Sequence, residues 1–344
     1  MPVELIILCG FLGSGKTTLL IDFLRNNVAG DTGVIVNEAG EVDVDGAILH
    51  DADSAVPMTL LGNGCVCCSL RSSLVHTIEV LLDAPRPAGK SPLTRIVLET
   101  SGLSRPGPII GSLADPQLAR RQLRVSVLST FDSEAGGLRP TQFDEAAAQL
   151  AAAQRIVLTK TDKVDARAVA HCRDTAIVVN PLAEVVADSD REQAVRQAFA
   201  PMRSLDLGEG ALRALLSPRL RLAHPRIHVM AGQLRGGADW DDLAVWLDDL
   251  AGYCGDRLLR LKAIVDVPSF ATPVLVQSVG TTFSAPQPLR ERRPGGGGIV
   301  VITRDADADL VNAMDEHAPV HLKPLVGATA RRSSRPVDGK PRAG

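Results

Sequence analysis

Apolar positions along this chain change their spacing near its middle. Up to about residue 187, the short runs VELIILCG, TGVIVN, RIVLE, RVSVLSTFD and RIVLT are almost unbroken in hydrophobicity. Strands covered on both faces require that kind of run. Between them lie LLIDFLRNN, apolar at helical spacing, and the alanine-rich AAAQLAAAQ. AIVVN, ending at Asn180, reads as one more strand. The alternation predicts an α/β fold whose sheet is mostly parallel and flanked by helices.

The second half reads differently. REQAVRQAFA and EGALRALL have helical character and predict a bridge over residues 188–224. From residue 225 to about 330, RIHVMAGQL, LLRLKAIVDV, PVLVQSV and GIVVITR read as four strands. DWDDLAVWLDDL places Trp240, Leu243, Leu247 and Leu250 on one helical face. DADADLVNAMDEH closes the region as a helix that Asp305 would cap. This predicts a smaller α+β domain, four strands with two helices on one face. RRPGGGG reads as a flexible loop, and residues 331–344 lack the apolar residues needed to pack. A chain of 344 residues exceeds what one core usually serves, so residues 1–187 and 225–330 are expected as separate domains.

Composition narrows the partners. Hydrophobic residues make up 45% and charged residues 22%, ordinary globular values, but aromatics are only 3%, so aliphatic side chains must fill the interior. A net charge of -3 gives no electrostatic reason to expect nucleic acid or an anionic membrane. Glu4 and Lys16 interrupt the apolar opening, which therefore makes a poor leader, and no apolar run is long enough to span a bilayer. Of six cysteines, Cys9, Cys172 and Cys254 are isolated while Cys65, Cys67 and Cys68 crowd into four positions of GNGCVCCSLR. That usage argues for metal or redox chemistry in a reducing compartment, and the cytoplasm is the expected location.

The chemistry begins at the first strand. Gly10 to Thr17 fits G-x-x-x-x-G-K-[ST] between a strand and a helix, the context that makes the pattern a phosphate-binding P-loop. Gly10, Gly13, Ser14, Gly15 and Thr18 would wrap phosphates with backbone N–H groups, Lys16 would reach the β and γ phosphates, and the Thr17 hydroxyl would bind Mg²⁺. The helix start at Lys16 adds its partial positive charge. RIVLE ends in Glu99, an acid placed to hold Mg²⁺, and Gly102 follows at a spacing that lets its backbone approach a γ phosphate. Lys16, Thr17 and Glu99 are thus the expected catalytic set. Glu38 and Glu41 in EAGEVDVDG are either a phosphate-sensing loop or a solvated acidic turn. Thr159, Lys160 and Asp162 resemble the [NT]KxD loop that reads guanine, whose ring N–H and exocyclic amine both donate to a carboxylate. Asn180 is expected to flank the base.

The P-loop, VNEAGEVDVDG, GNGCVCCSLR, LETSGL and VLTKTD, in that order, resemble the CobW-like family of metal-handling GTPases, and LLRLKAIVDVP resembles the family's C-terminal domain. The resemblance covers roughly residues 3 to 305. It implies a GTP-hydrolysing metallochaperone that delivers a divalent transition metal to a client metalloprotein and leaves a homodimer open. Cobalt delivery, zinc allocation and activation of a metalloenzyme are all compatible with it. Cys65, Cys67 and Cys68 can aim three thiolates at one ion, with Zn²⁺ the default and Co²⁺ next, and leave a fourth position for transfer. A redox cluster, a non-catalytic thiol module and an ATP-dependent kinase are the alternatives, the last opposed by Asp162. The chain departs from the family pattern at Ala39, Gln154 and Ala263, and its seven histidines are scattered, so bulk metal storage is not expected.

Overall fold

A computed structural model of the chain describes residues 2–26, 31–36, 58–60, 69–86, 91–136, 138–202, 224–289 and 298–325. The first sheet is built from β1 (Glu4–Gly10), β2 (Thr32–Val36), β3 (Met58–Leu60), β4 (Arg95–Glu99), β5 (Arg124–Asp132), β6 (Arg155–Thr159) and β7 (Glu184–Val186). Their order is β3-β2-β4-β1-β5-β6-β7, and every pairing is parallel. Helices α1 (Lys16–Asn26), α2 (Ser69–Asp83), α3 (Pro106–Leu113), α4 (Pro116–Ala119), α5 (Leu138–Gln142), α6 (Asp144–Ala152), α7 (Ala166–Val179) and α8 (Arg191–Ala198) connect them. All seven residues of β1 are buried, as its unbroken apolar run predicts.

The second sheet is antiparallel throughout. Its long strands are β8 (Ile227–Gly232), β9 (Leu258–Val265), β10 (Val274–Val279) and β13 (Gly298–Arg304), in the order β10-β9-β13-β8. The two-residue strands β11 (Thr282–Phe283), β12 (Gln287–Pro288) and β14 (Lys323–Pro324) flank them. Alternate side chains of β13 serve two cores. Ile299 and Val301 face α9 (Trp240–Cys254) and α10 (Ala308–Asn312), while Val300 and Ile302 join the core of the first sheet. The four long strands with two helices on one face match the pattern read from residues 225–330. Trp246 joins Leu243, Leu247 and Leu250 in the buried face of α9, whereas Trp240 is only partly buried.

Helix α6 lies between the sheets, and every residue from Ala146 to Ala152 is buried. Its alanines are small enough for β1 and β5 on one side and β9 on the other to approach it closely. Charges from the second sheet hold both ends. At the start, Arg226 Nη1 lies 2.6 Å and Arg304 Nη1 3.2 Å from the two carboxylate oxygens of Asp144. At the far end, Arg260 donates to the Ala152 carbonyl. Arg260 is 2% exposed, and burial lowers the pKa of its guanidinium to about 10.

Two expectations differ from the structure. AIVVN is the end of helix α7, not a strand, because Asn180 caps it and the strand follows only at Glu184. The Asn180 side chain is fully buried, and its amide nitrogen lies 2.8–2.9 Å from the carbonyls of Leu150, Ala151 and Ala153 at the end of α6. That amide is therefore committed to the end of α6. The cap of α10 is Asp307, which accepts from Leu310 N–H, whereas Asp305 has a positive φ of 52° and pairs with Arg226. The expected helix EGALRALL, the RRPGGGG loop and the tail 331–344 lie outside the described residues, apart from Gly298.

Replacing Asn180 with alanine removes the amide shared by three carbonyls at the end of α6, of which that of Leu150 keeps the Ala153 N–H at 3.3 Å. Asn180→Ala is expected to lower stability by about 1–3 kcal/mol, measured as a shift of the denaturant midpoint at unchanged slope.

Candidate functional site

The carboxyl ends of β1, β4, β5 and β6 converge. Register pairs Gly10 with Thr130, Leu8 with Glu99, and Asp132 with Thr159. Strand order reverses around β1, and in open parallel sheets ligands bind outside the carboxyl ends at such a point.

The loop from Gly10 to Gly15 has φ of 146° at Gly10, 69° at Gly13 and 86° at Gly15, values that side chains rarely adopt. A Cβ on Gly10 would also fall 2.8 Å from the Thr130 backbone oxygen, so no other residue fits there. Ser14 N–H closes the turn onto the Phe11 carbonyl at 3.0 Å. The Ser14 hydroxyl pairs with that of Thr130 at 2.7 Å. Thr159 Oγ1 donates to the Ser14 carbonyl at 2.8 Å. Lys16 Nζ folds over the loop to the Gly10 carbonyl at 3.0 Å and the Phe11 carbonyl at 3.4 Å. Gly13 and Thr18 are exposed at the loop and the first turn of α1.

Thr17 Oγ1 donates to Glu99 Oε1 at 2.5 Å, a short charge-assisted bond. Glu99 is only 6% exposed. A hydroxyl and a carboxylate brought together beside a phosphate loop form the all-oxygen donor set that Mg²⁺ takes, so the residues present fit that ion. Gly102 backs onto the same loop. A Cβ there would lie 2.7 Å from Leu12 N and 2.8 Å from Leu12 Cα. The Glu99–Gly102 segment is therefore seated directly against the P-loop.

Lys160 and Asp162 sit in the turn after β6. Lys160 adopts a left-handed φ of 55°, and its Nζ reaches Asp132 Oδ2 at 2.8 Å, which raises the lysine's pKa. Asp162 is exposed in the 3-10 turn Thr161–Lys163. The structure thus brings together Gly10, Gly13, Ser14, Gly15, Lys16, Thr17, Thr18, Glu99, Gly102 and Thr159, with Lys160 and Asp162 at the rim. Asn180 is not among them. Glu38, Glu41, Cys65, Cys67 and Cys68 lie outside the described residues.

The remaining cysteines are core residues. Cys9, Cys172 and Cys254 are buried, and burial raises each thiol, that of Cys9 to about 12. Among the described residues, no group of three or more His, Cys, Asp or Glu could hold a metal ion. His224 is 8% exposed, and its Nδ1 accepts from the N–H groups of Arg226 and Ile227.

Two contributors went unnoticed in the sequence. Thr130 supports the loop, but a small polar residue ending a strand is a weak signal. Gln149 on α6 donates to the carbonyls of Gly102 and Ser104, both at 2.9 Å. A lone amide in the run AAAQLAA could have pointed to it.

Residues 4–187 match the family described as CobW/HypB/UreG, nucleotide-binding domain, and residues 227–316 match the cobalamin synthesis protein cobW C-terminal domain. The zinc chaperone YjiA of Escherichia coli is 30% identical over 297 residues, which cover 83% of this chain and 88% of the relative. The zinc chaperone CobW of a Sinorhizobium species is 29% identical over 316 residues, covering 80% and 84%. The crystal structure of zinc-bound YjiA GTPase from E. coli has the same fold, with a TM-score of 0.62 at 23% identity, covering 91% of this chain and 98% of that one.

A methyl group at Gly102 would press into the backbone of Leu12. Gly102→Ala is expected to weaken binding of a non-hydrolysable triphosphate nucleotide by roughly tenfold, about 1.4 kcal/mol, and that of the diphosphate less. Fluorescent-nucleotide titration measures both.

Proposed function

This chain belongs to the CobW/HypB/UreG family of nucleotide-binding proteins, and from that premise we propose that it binds and hydrolyses GTP and uses the nucleotide cycle to hold and release zinc for a client metalloprotein, with cobalt the next candidate cargo. The observation that carries the nucleotide half is the contact between Thr17 and Glu99, 2.5 Å apart beside a P-loop on which Gly102 is seated. The cargo half is supported by the names of the relatives and by three thiols at Cys65, Cys67 and Cys68.

In this reading, GTP lies with its phosphates in the loop and its base against the turn after β6. Lys16 leaves the carbonyls of Gly10 and Phe11 to meet the β and γ phosphates. Thr17 and Glu99 are the oxygens that hold Mg²⁺, whose charge offsets that developing on the phosphoryl oxygens. Water attacks the γ phosphorus, the bond to the β-phosphate oxygen breaks, and GDP and inorganic phosphate leave. Loss of the γ phosphate frees the Glu99–Gly102 segment, and that release is what reaches the thiols between β3 and α2. Thr159 supports the phosphate loop from β6 through its bond to the Ser14 carbonyl. Among the described residues no helix is long and apolar enough to cross a membrane. The chemistry calls for a reducing compartment, and we place it in the cytoplasm.

Metal affinity is the decisive measurement. Competition with a chromophoric chelator for Zn²⁺ and Co²⁺, with GDP and with a non-hydrolysable GTP analogue, is expected to give affinities that differ at least tenfold between nucleotides, about 1.4 kcal/mol of coupling. Replacing Cys65, Cys67 and Cys68 together with serine is expected to abolish that difference. Tight binding indifferent to nucleotide would instead favour a static thiol site, and negligible hydrolysis would favour a non-catalytic module. Base recognition has its own check: Asp162→Asn is expected to lose most of the preference for GTP over ATP, and retention of the preference would show that this turn does not read the base.

A further inference from the structure

Gln149 is the one polar residue in the buried run Ala146–Ala152, and it is 1% exposed. Its amide nitrogen donates to two carbonyls of the loop after β4, Gly102 and Ser104, at 2.9 Å each. The loop's own turn adds the bond from Ser104 N–H to the Ser101 carbonyl at 3.0 Å and longer ones from Thr100 Oγ1 to the Ser101 carbonyl at 3.4 Å and from Leu103 N–H to Ser101 Oγ at 3.5 Å. The loop is therefore clamped between α6, through Gln149, and the P-loop, through the close approach of Gly102 to Leu12.

The second sheet holds helix α6 at both ends. Arg226 and Arg304 hold the two oxygens of Asp144, and Arg260 holds the Ala152 carbonyl. The helix that continues from the loop, α3, rests on the same sheet. A Cβ on Gly107 would lie 3.6 Å from Gly280 Cα, and one on Gly111 would lie 3.3 Å from Thr282 Oγ1. The carboxyl side of the nucleotide-facing loop is thus referred to residues far along the chain, while its amino end stays on the first sheet, where Thr100 N–H donates to the Leu8 carbonyl at 3.0 Å.

We propose that Gln149 is a positioning residue for the loop Glu99–Ser104, and that the second sheet sets where Gln149 stands through its arginine contacts to α6. The inference rests on the nucleotide-switch reading above. A loop already fixed by two hydrogen bonds loses less conformational freedom when a γ phosphate closes on it. Removing the donor transfers that ordering cost to triphosphate binding. A diphosphate, which ends short of the loop, is spared it.

The test uses the full chain and fluorescent GDP and non-hydrolysable GTP analogue, with kcat and KM for GTP measured in parallel. Gln149→Met keeps the side-chain volume and removes both donors. The ratio of triphosphate to diphosphate affinity is expected to fall about tenfold and kcat to fall with it, while GDP affinity stays within roughly twofold. Asp144→Asn, at a partly exposed site, weakens the arginine hold and is expected to shift the ratio in the same direction by a smaller factor. The two changes combined are expected to be less than additive. A wild-type ratio in Gln149→Met overturns the proposal, as does a parallel loss of both nucleotides. Should Gln149→Met not fold, a wild-type ratio in Asp144→Asn overturns it. A wild-type protein that fails to distinguish the two nucleotides removes the switch reading itself, whereas intact discrimination that survives both substitutions removes only the role given to Gln149 and its helix.

Discussion

A nine-residue helix whose last seven residues, Ala146 to Ala152, are all buried separates the two sheets, and most of the architecture follows from it. A helix buried on every side has no polar face to give to water, so its residues must be small and its end groups must be satisfied by protein. The run of alanines meets the first demand. Asn180 and Arg260 meet the second at the carboxyl end, and Arg226 and Arg304 balance Asp144 at the amino end. The guanidinium of Arg260 is costly to bury, and a carbonyl at the negative end of a helix is among the few partners that offset the cost.

The second organising fact is that the phosphate loop is supported from several strands at once. Ser14 alone receives a hydroxyl contact from β5 and, on its carbonyl, a hydroxyl from β6. The strand that leads to the base-side turn and the loop that would take the phosphates are therefore joined by a hydrogen bond of 2.8 Å. In the proposed reading base and phosphate would share one frame, because a shift of β6 moves the carbonyl side of the loop with it.

How much of this was legible depends on whether the cause is local. Local order fixes the P-loop: strand, glycines, lysine and helix are consecutive, and the backbone angles at Gly10, Gly13 and Gly15 follow from the residues there. Glu99 was legible from its place at a strand end beside that motif. AIVVN was misread because a short apolar run fits a buried strand or the buried end of a helix equally well. What decided the matter was Asn180, whose partners lie 27 to 30 residues away and leave no trace in local spacing. Gln149 was missed for the same reason, since its acceptors are on another strand's loop. Asp305 and Asp307 show the limit on a smaller scale. Either could cap the helix by sequence, and the ion pair of Asp305 with Arg226, 79 positions away, removes one of them from contention.

The sandwiching of α6 has a consequence for synthesis as well as for the finished fold. A ribosome delivers the whole first sheet and its helices before it makes the strands that cover the outer side of α6. During that interval the alanine face that β9 will later cover, and the partly polar groups at both its ends, stand open to water or to chaperones. Ile227, Val229, Val300 and Ile302 complete the first core only afterwards. The first half of this chain is thus born with a surface that is apolar by design and temporary by timing, and the last strands to emerge are what make it an interior.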